Sequence, residues 1–140
     1  MKMVITILRW MAVLPGAILF VFISDFPIHW IVVLQEYIPD KIITFDNPAQ
    51  LEYLLYAFFN PFILIMSATF IAPSKKFWVG LLFIVLSLIL ALVGLVYSKQ
   101  NNLATYSAPE ITLLLNIAGY TVGCIYIYNK YWSSKMQATS

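Results

Sequence analysis

Apolar residues run through most of this chain in long stretches, and the polar positions between them are few. Segments 53–73, 77–97 and 111–128 contain no charged residue at all. A hydrocarbon core of about 30 Å takes about 20 helical residues at 1.5 Å each, so these three segments predict membrane-spanning helices. The apolar run from Trp10 to Ser24 is too short alone. Extending it back to Met3 predicts a first span over 3–24, with Arg9 snorkelling toward the headgroups. SDFPIHW follows this run without a small-x-small cleavage site, which predicts an uncleaved span.

The segment after the first span has a different pattern. In DFPIHWIVVLQEYI, Asp25, His29 and Glu36 project within about 40° of one another at 100° per residue, away from Ile28, Ile31, Leu34 and Ile38. This predicts a short amphipathic helix over 26–38 lying in the membrane interface, or an outward extension of the first span. PDKIITFDNPAQ reads as a turn-rich connector. The expected fold is all-α: one bundle over 1–140 with four transmembrane helices (3–24, 53–73, 77–97, 111–128), an extracytoplasmic loop over 25–52 and a short cytoplasmic tail over 129–140.

Composition identifies the solvent. Hydrophobic residues make up 62% of the 140 positions and charged residues 10%, against about 25% charged in soluble domains. A small domain leaves much of its area exposed, so this surface belongs in lipid. Charge placement then predicts the threading. With the N-terminus inside, Lys2, Arg9, Lys75, Lys76, Lys130 and Lys135 share one side, leaving Lys41 and Lys99 opposite. The basic-rich side is cytoplasmic. Both termini are therefore expected in the cytoplasm of a multi-pass inner-membrane protein, with Arg9, Lys75, Lys76 and Lys130 as topology anchors. The six acids (Asp25, Glu36, Asp40, Asp46, Glu52 and Glu110) all fall on the other side.

Candidate chemistry is sparse. Asn60 and Asn116 each lie about 8–10 Å below the start of a span running in the same direction, which predicts that they meet as an interhelical hydrogen bond or line a polar path with Ser67 and Thr121. Pro61 after Asn60 favours a local kink. Gly119 and Gly123 form a G-x-x-x-G pattern, and Ser87, Ala91 and Gly94 form a second small-residue stripe; both predict close helix packing. His29 has Asp25 four residues before it, but two ligands do not make a metal site. Cys124 is the sole cysteine and reads as a buried packing residue. Nucleophile, phosphate-loop and zinc-protease motifs are absent from the sequence, as is a basic array for nucleic acid. No cofactor is expected.

The basic-Trp first span with an early proline, LRWMAVLPGA, and the hairpin IAPSKK at 71–76 resemble a group of small uncharacterised bacterial inner-membrane proteins. That resemblance implies a four-helix inner-membrane protein and carries no active site. The function expected first is a non-enzymatic subunit, docking in the bilayer to copies of itself or to another membrane protein. A homo-oligomeric pore or cation transporter lined by Asn60 and Asn116 is the alternative. A lipid-directed enzyme using Asp25, His29 and Glu36 is the third.

Overall fold

The computed structural model describes residues 2–37, 48–100 and 109–133. Four α-helices follow one another: α1 (Lys2–Glu36), α2 (Pro48–Ile71), α3 (Lys76–Gln100) and α4 (Pro109–Ile127), with a π-helical turn at Tyr128–Ser133 closing the last. Each is long and apolar enough to cross a membrane. Pro48 and Pro109 open α2 and α4, where a missing N–H costs nothing and the fixed φ suits a helix. Glu110 adds a negative charge to the first turn of α4, complementing its dipole.

Of the two expectations for the segment after Ser24, the structure takes the extension. The helix continues unbroken through 25–36 instead of stopping near Ser24, so the described part of that segment belongs to α1. Its 35 residues give it a length of about 52 Å. Pro15 and Pro27 both lie inside it. An interior proline removes one i→i−4 bond, which neighbouring helix surface can offset. Here that surface is α2: Val13, Ala17, Ile28 and Val32 form one buried stripe along α1. Of the expected 25–52 loop, residues 38–47 lie outside the described residues, as do 134–140 of the tail.

Helix α2 is the hub of the bundle. It touches α1, α3 and α4; α3 and α4 also pack on each other, whereas among the described elements the backbone of α1 comes close only to α2. The turn between α2 and α3 takes four residues. Ala72 N–H closes the last turn of α2 on the Ala68 carbonyl at 3.0 Å, and the Lys75 carbonyl accepts the first bond of α3 from Val79 at 3.1 Å. Lys75 reverses the chain with φ at 50°, the left-handed conformation a glycine would adopt more readily.

Small residues let the backbones approach, as expected where helices associate by packing in lipid. Ala17 of α1 shares a buried cluster with Ala68 and Ala72 of α2 and with Val79 and Phe83 of α3. Ile65, Tyr120 and Ile127 form a second cluster between α2 and α4, with Leu81 and Ile84 of α3 packed against it. Gly119 lies directly against the Phe58 carbonyl and the Pro61 ring, and Gly123 against Ile65. These contacts fix how α4 is rotated on α2. The outward faces of α1, α3 and α4 carry large exposed apolar side chains along their length, far more than the few hundred Å² patches a soluble monomer shows.

Candidate functional site

Polar side chains gather in three places, the first being the contact between α1 and α2. The two helices run antiparallel there. Asp25 and His29 sit one turn apart on α1, and Glu52, Tyr56 and Asn60 sit at successive four-residue steps on α2. Residues four apart share a helix face, so the two rows form a ladder. His29 Nδ1 pairs with Glu52 Oε1 at 2.9 Å. The Tyr56 hydroxyl donates to the same carboxylate oxygen and lies 3.3 Å from the Asp25 backbone carbonyl. The Asn60 amide is a hydrogen-bonding neighbour of the Asp25 carboxyl.

The ladder is graded from wet to dry. At one end the His29 side chain is 53% exposed. At the other, Asp25 Oδ1 and Asn60 Oδ1 are buried without a hydrogen-bond partner. Both leftover atoms are acceptors, and leaving such atoms unmet costs roughly 1–3 kcal/mol each. A hydrogen-bond donor such as water, a proton or a small cation would satisfy them.

The sequence placed Asp25 outside the first span and paired Asn60 with Asn116. The structure gives the two asparagines separate partners. Asn116 Nδ2 turns back to the Thr112 carbonyl at 2.8 Å, within α4. Its side chain lines the second polar place, a cleft of about 350 Å³ bounded by Ser87, Ala91 and Gly94 of α3, Thr112 and Asn116 of α4 and Tyr53 of α2. Among the described residues, a Cβ added at Gly94 would meet nothing within 4 Å. The Ser87–Ala91–Gly94 stripe therefore lines open space rather than a tight helix seam. Ser87 Oγ donates to the Phe83 carbonyl at 2.5 Å, and Tyr120 is its side-chain partner across the cleft floor.

Ser67 and Thr121 are not brought to either place. Ser67 is buried and donates to the Ile63 carbonyl at 2.7 Å. Thr121 is exposed on α4 and donates to Ile117 at 2.8 Å. The four residues expected to line one path thus lie in four surroundings within a single copy. Cys124 is exposed rather than buried, because the contact with Ile65 is made by its neighbour Gly123.

The third place is the end of the bundle carrying the α2–α3 turn, here termed the lysine end. Lys76 Nζ lies 5.5 Å from the centre of the Tyr131 ring. Lys130 Nζ lies 5.0 Å from that of Tyr126, whose hydroxyl accepts from it at 2.6 Å. The π turn presents Tyr131 and Trp132 to α3, where Trp132 stacks on Phe77 at 4.8 Å. Arg9 is exposed on α1.

The i, i+4, i+8 spacing of Glu52, Tyr56 and Asn60 was readable in EYLLYAFFN; what concealed the ladder was the assumed end of the first span. Among the described residues, no three His, Cys, Asp or Glu side chains are grouped to hold a metal. No family model matches this chain, and no curated protein or solved structure matches it either.

Proposed function

We propose that this is a multi-pass inner-membrane protein, with both ends in the cytoplasm, that serves as a non-enzymatic subunit of a membrane complex. Four apolar helices and their exposed apolar faces support insertion. The concentration of lysine at one end and acid toward the other supports the orientation.

The observation that carries the subunit reading is the uncovered α3 stripe. Ser87, Ala91 and Gly94 border an open cleft with the Asn116 amide in its wall, and Gly94 has free space where a Cβ would sit. Small residues beside a hydrogen-bonding side chain are the surface on which helices associate in lipid. The occupant is a helix of a second copy or of another membrane protein. Native mass spectrometry of the full chain, extracted into nanodiscs from its own cells, tests this. A fixed-stoichiometry assembly that falls apart in Gly94→Leu supports the reading. A lone monomer, or an assembly indifferent to Gly94→Leu, contradicts it.

A second reading, cation or proton passage through an oligomer, is favoured by one observation: the buried unpaired oxygens of Asp25 and Asn60. Ionisable groups within a span mark ion pathways. Flux into proteoliposomes that is abolished in Asp25→Asn supports it; impermeability to both protons and monovalent cations removes it.

A further inference from the structure

The lysine end holds a cavity that neither reading uses. It has a volume of about 710 Å³ and lies between the α2–α3 turn and the π turn, walled by Ser74, Lys75, Lys76, Trp78, Tyr131 and Trp132. Two backbone departures border this one space. Lys75 stands at φ 50°, and α4 widens into a π-helical turn at Tyr128–Ser133. Single π turns are rare and are frequently found at functional sites. A non-glycine residue in the left-handed region bears a conformational cost that a glycine at the same place avoids. Keeping a lysine there holds an ammonium at the cavity mouth in spite of that cost.

The chemistry of the walls is one-sided. Lys75 and Lys76 supply positive charge, with Lys130 beside Tyr131 adding to it. No acidic residue occurs between Glu52 and Glu110 or after Glu110, so the sequence supplies no nearby carboxylate side chain to neutralise them. The remaining walls are Ser74, Phe77 and three Trp and Tyr rings, and the apolar bodies and polar tips of those three suit the headgroup level of a bilayer. Lys76 is steadied by the face of Tyr131, an arrangement that leaves an ammonium's charge available.

We infer that this cavity binds the phosphate of an anionic phospholipid, with Lys75 and Lys76 at the phosphate and the Trp and Tyr rings along the glycerol and upper chain. Basic pockets between helices at this level recognise such headgroups, each lysine contributing roughly fivefold in affinity. The inference rests on membrane insertion but not on the partner proposed above.

The test uses the purified full-length chain in neutral detergent, offered phosphatidylglycerol and phosphatidylcholine with matched acyl chains, and reads retained lipid by native mass spectrometry. The wild type is expected to retain one phosphatidylglycerol at least tenfold over phosphatidylcholine. Lys75→Gly, which suits the φ at that position, combined with Lys76→Gln brings the ratio close to parity, while Arg9→Gln on α1 leaves it unchanged. If the double variant unfolds by tryptophan fluorescence, Lys75→Gly alone is read and must lower the ratio roughly fivefold. Equal retention of the two lipids by the wild type, or a preference that survives in the folded variants, overturns the inference. Displacement of the lipid by millimolar glycerol 3-phosphate also overturns it, assigning the cavity to a soluble phosphate. Release of the chain from membranes by alkaline carbonate would instead bring down the insertion on which the inference stands.

Discussion

Alanine substitution at three glycines separates packing from open space. In a helix interior, Gly→Ala stabilises by about 0.5–1 kcal/mol through backbone entropy, and the surroundings then add their own term. At Gly94 a new Cβ meets nothing within 4 Å, so the full gain should appear. At Gly123 it meets Ile65 Cδ1 at 2.7 Å. Ile65 is fully buried, and turning its terminal methyl off-rotamer costs about 0.5–1.5 kcal/mol, leaving a net change near zero. At Gly119 the Cβ lies 2.9 Å from the Pro61 ring and 3.3 Å from the Phe58 carbonyl carbon, with the carbonyl oxygen closer still. Neither a backbone nor a proline ring can rotate away, so α2 and α4 must separate. Overpacking of this kind costs about 1–3 kcal/mol; with a backbone oxygen in the way the cost falls in the upper half of that range, about 2–3 kcal/mol, and leaves Gly119→Ala about 1–2.5 kcal/mol less stable after the entropy gain. Unfolding in mixed micelles of dodecylmaltoside and SDS, followed by far-ultraviolet circular dichroism, gives the three values. Gly119→Ala matching the wild type, or Gly94→Ala costing as much as Gly119→Ala, would refute the packing described for α4.

Two further outcomes follow from the polar ladder and the outward face of α4. Asn60→Leu removes the amide beside the Asp25 carboxyl and should destabilise by about 1–3 kcal/mol, whereas Asp25→Leu combined with Asn60→Leu should recover most of the loss; a thermal-shift double-mutant cycle should return a coupling of about 0.6–2 kcal/mol. Cys124, exposed on α4, should react with maleimide within minutes in short-chain detergent and far more slowly in bilayers, where hydrocarbon chains keep water and reagent away; equal rates in both, read by gel shift, contradict a lipid-facing position for it.

The extents of α2, α3 and α4 were legible because apolar length is a local property. The expected 53–73, 77–97 and 111–128 differ by a few residues from Pro48–Ile71, Lys76–Gln100 and Pro109–Ile127. The course of α1 past Ser24 was legible only as one of two readings, an extension of the first span or a separate interfacial helix. Asp25, Pro27 and His29 read as a boundary, and only the α2 face, with Glu52, Tyr56 and Asn60 in register, shows why the helix carries them onward. The separation of Asn60 from Asn116 was hidden for a related reason. Depth along a helix follows from counting residues, but the direction a side chain faces depends on how neighbours are rotated. Gly119 and Gly123 set that rotation by seating α4 on Phe58, Pro61 and Ile65, which leaves Asn116 facing the cleft toward α3.

The central claim is that the uncovered α3 stripe receives another helix. Site-specific photo-crosslinking in the protein's own cells tests it most directly, with benzoylphenylalanine placed at Ala91 in the cleft wall or at Ile89 on the exposed apolar face. The account predicts one protein adduct of discrete mass from position 91 and none from position 89. Lipid adducts alone from both positions, with the variants folded and membrane-embedded, would contradict it.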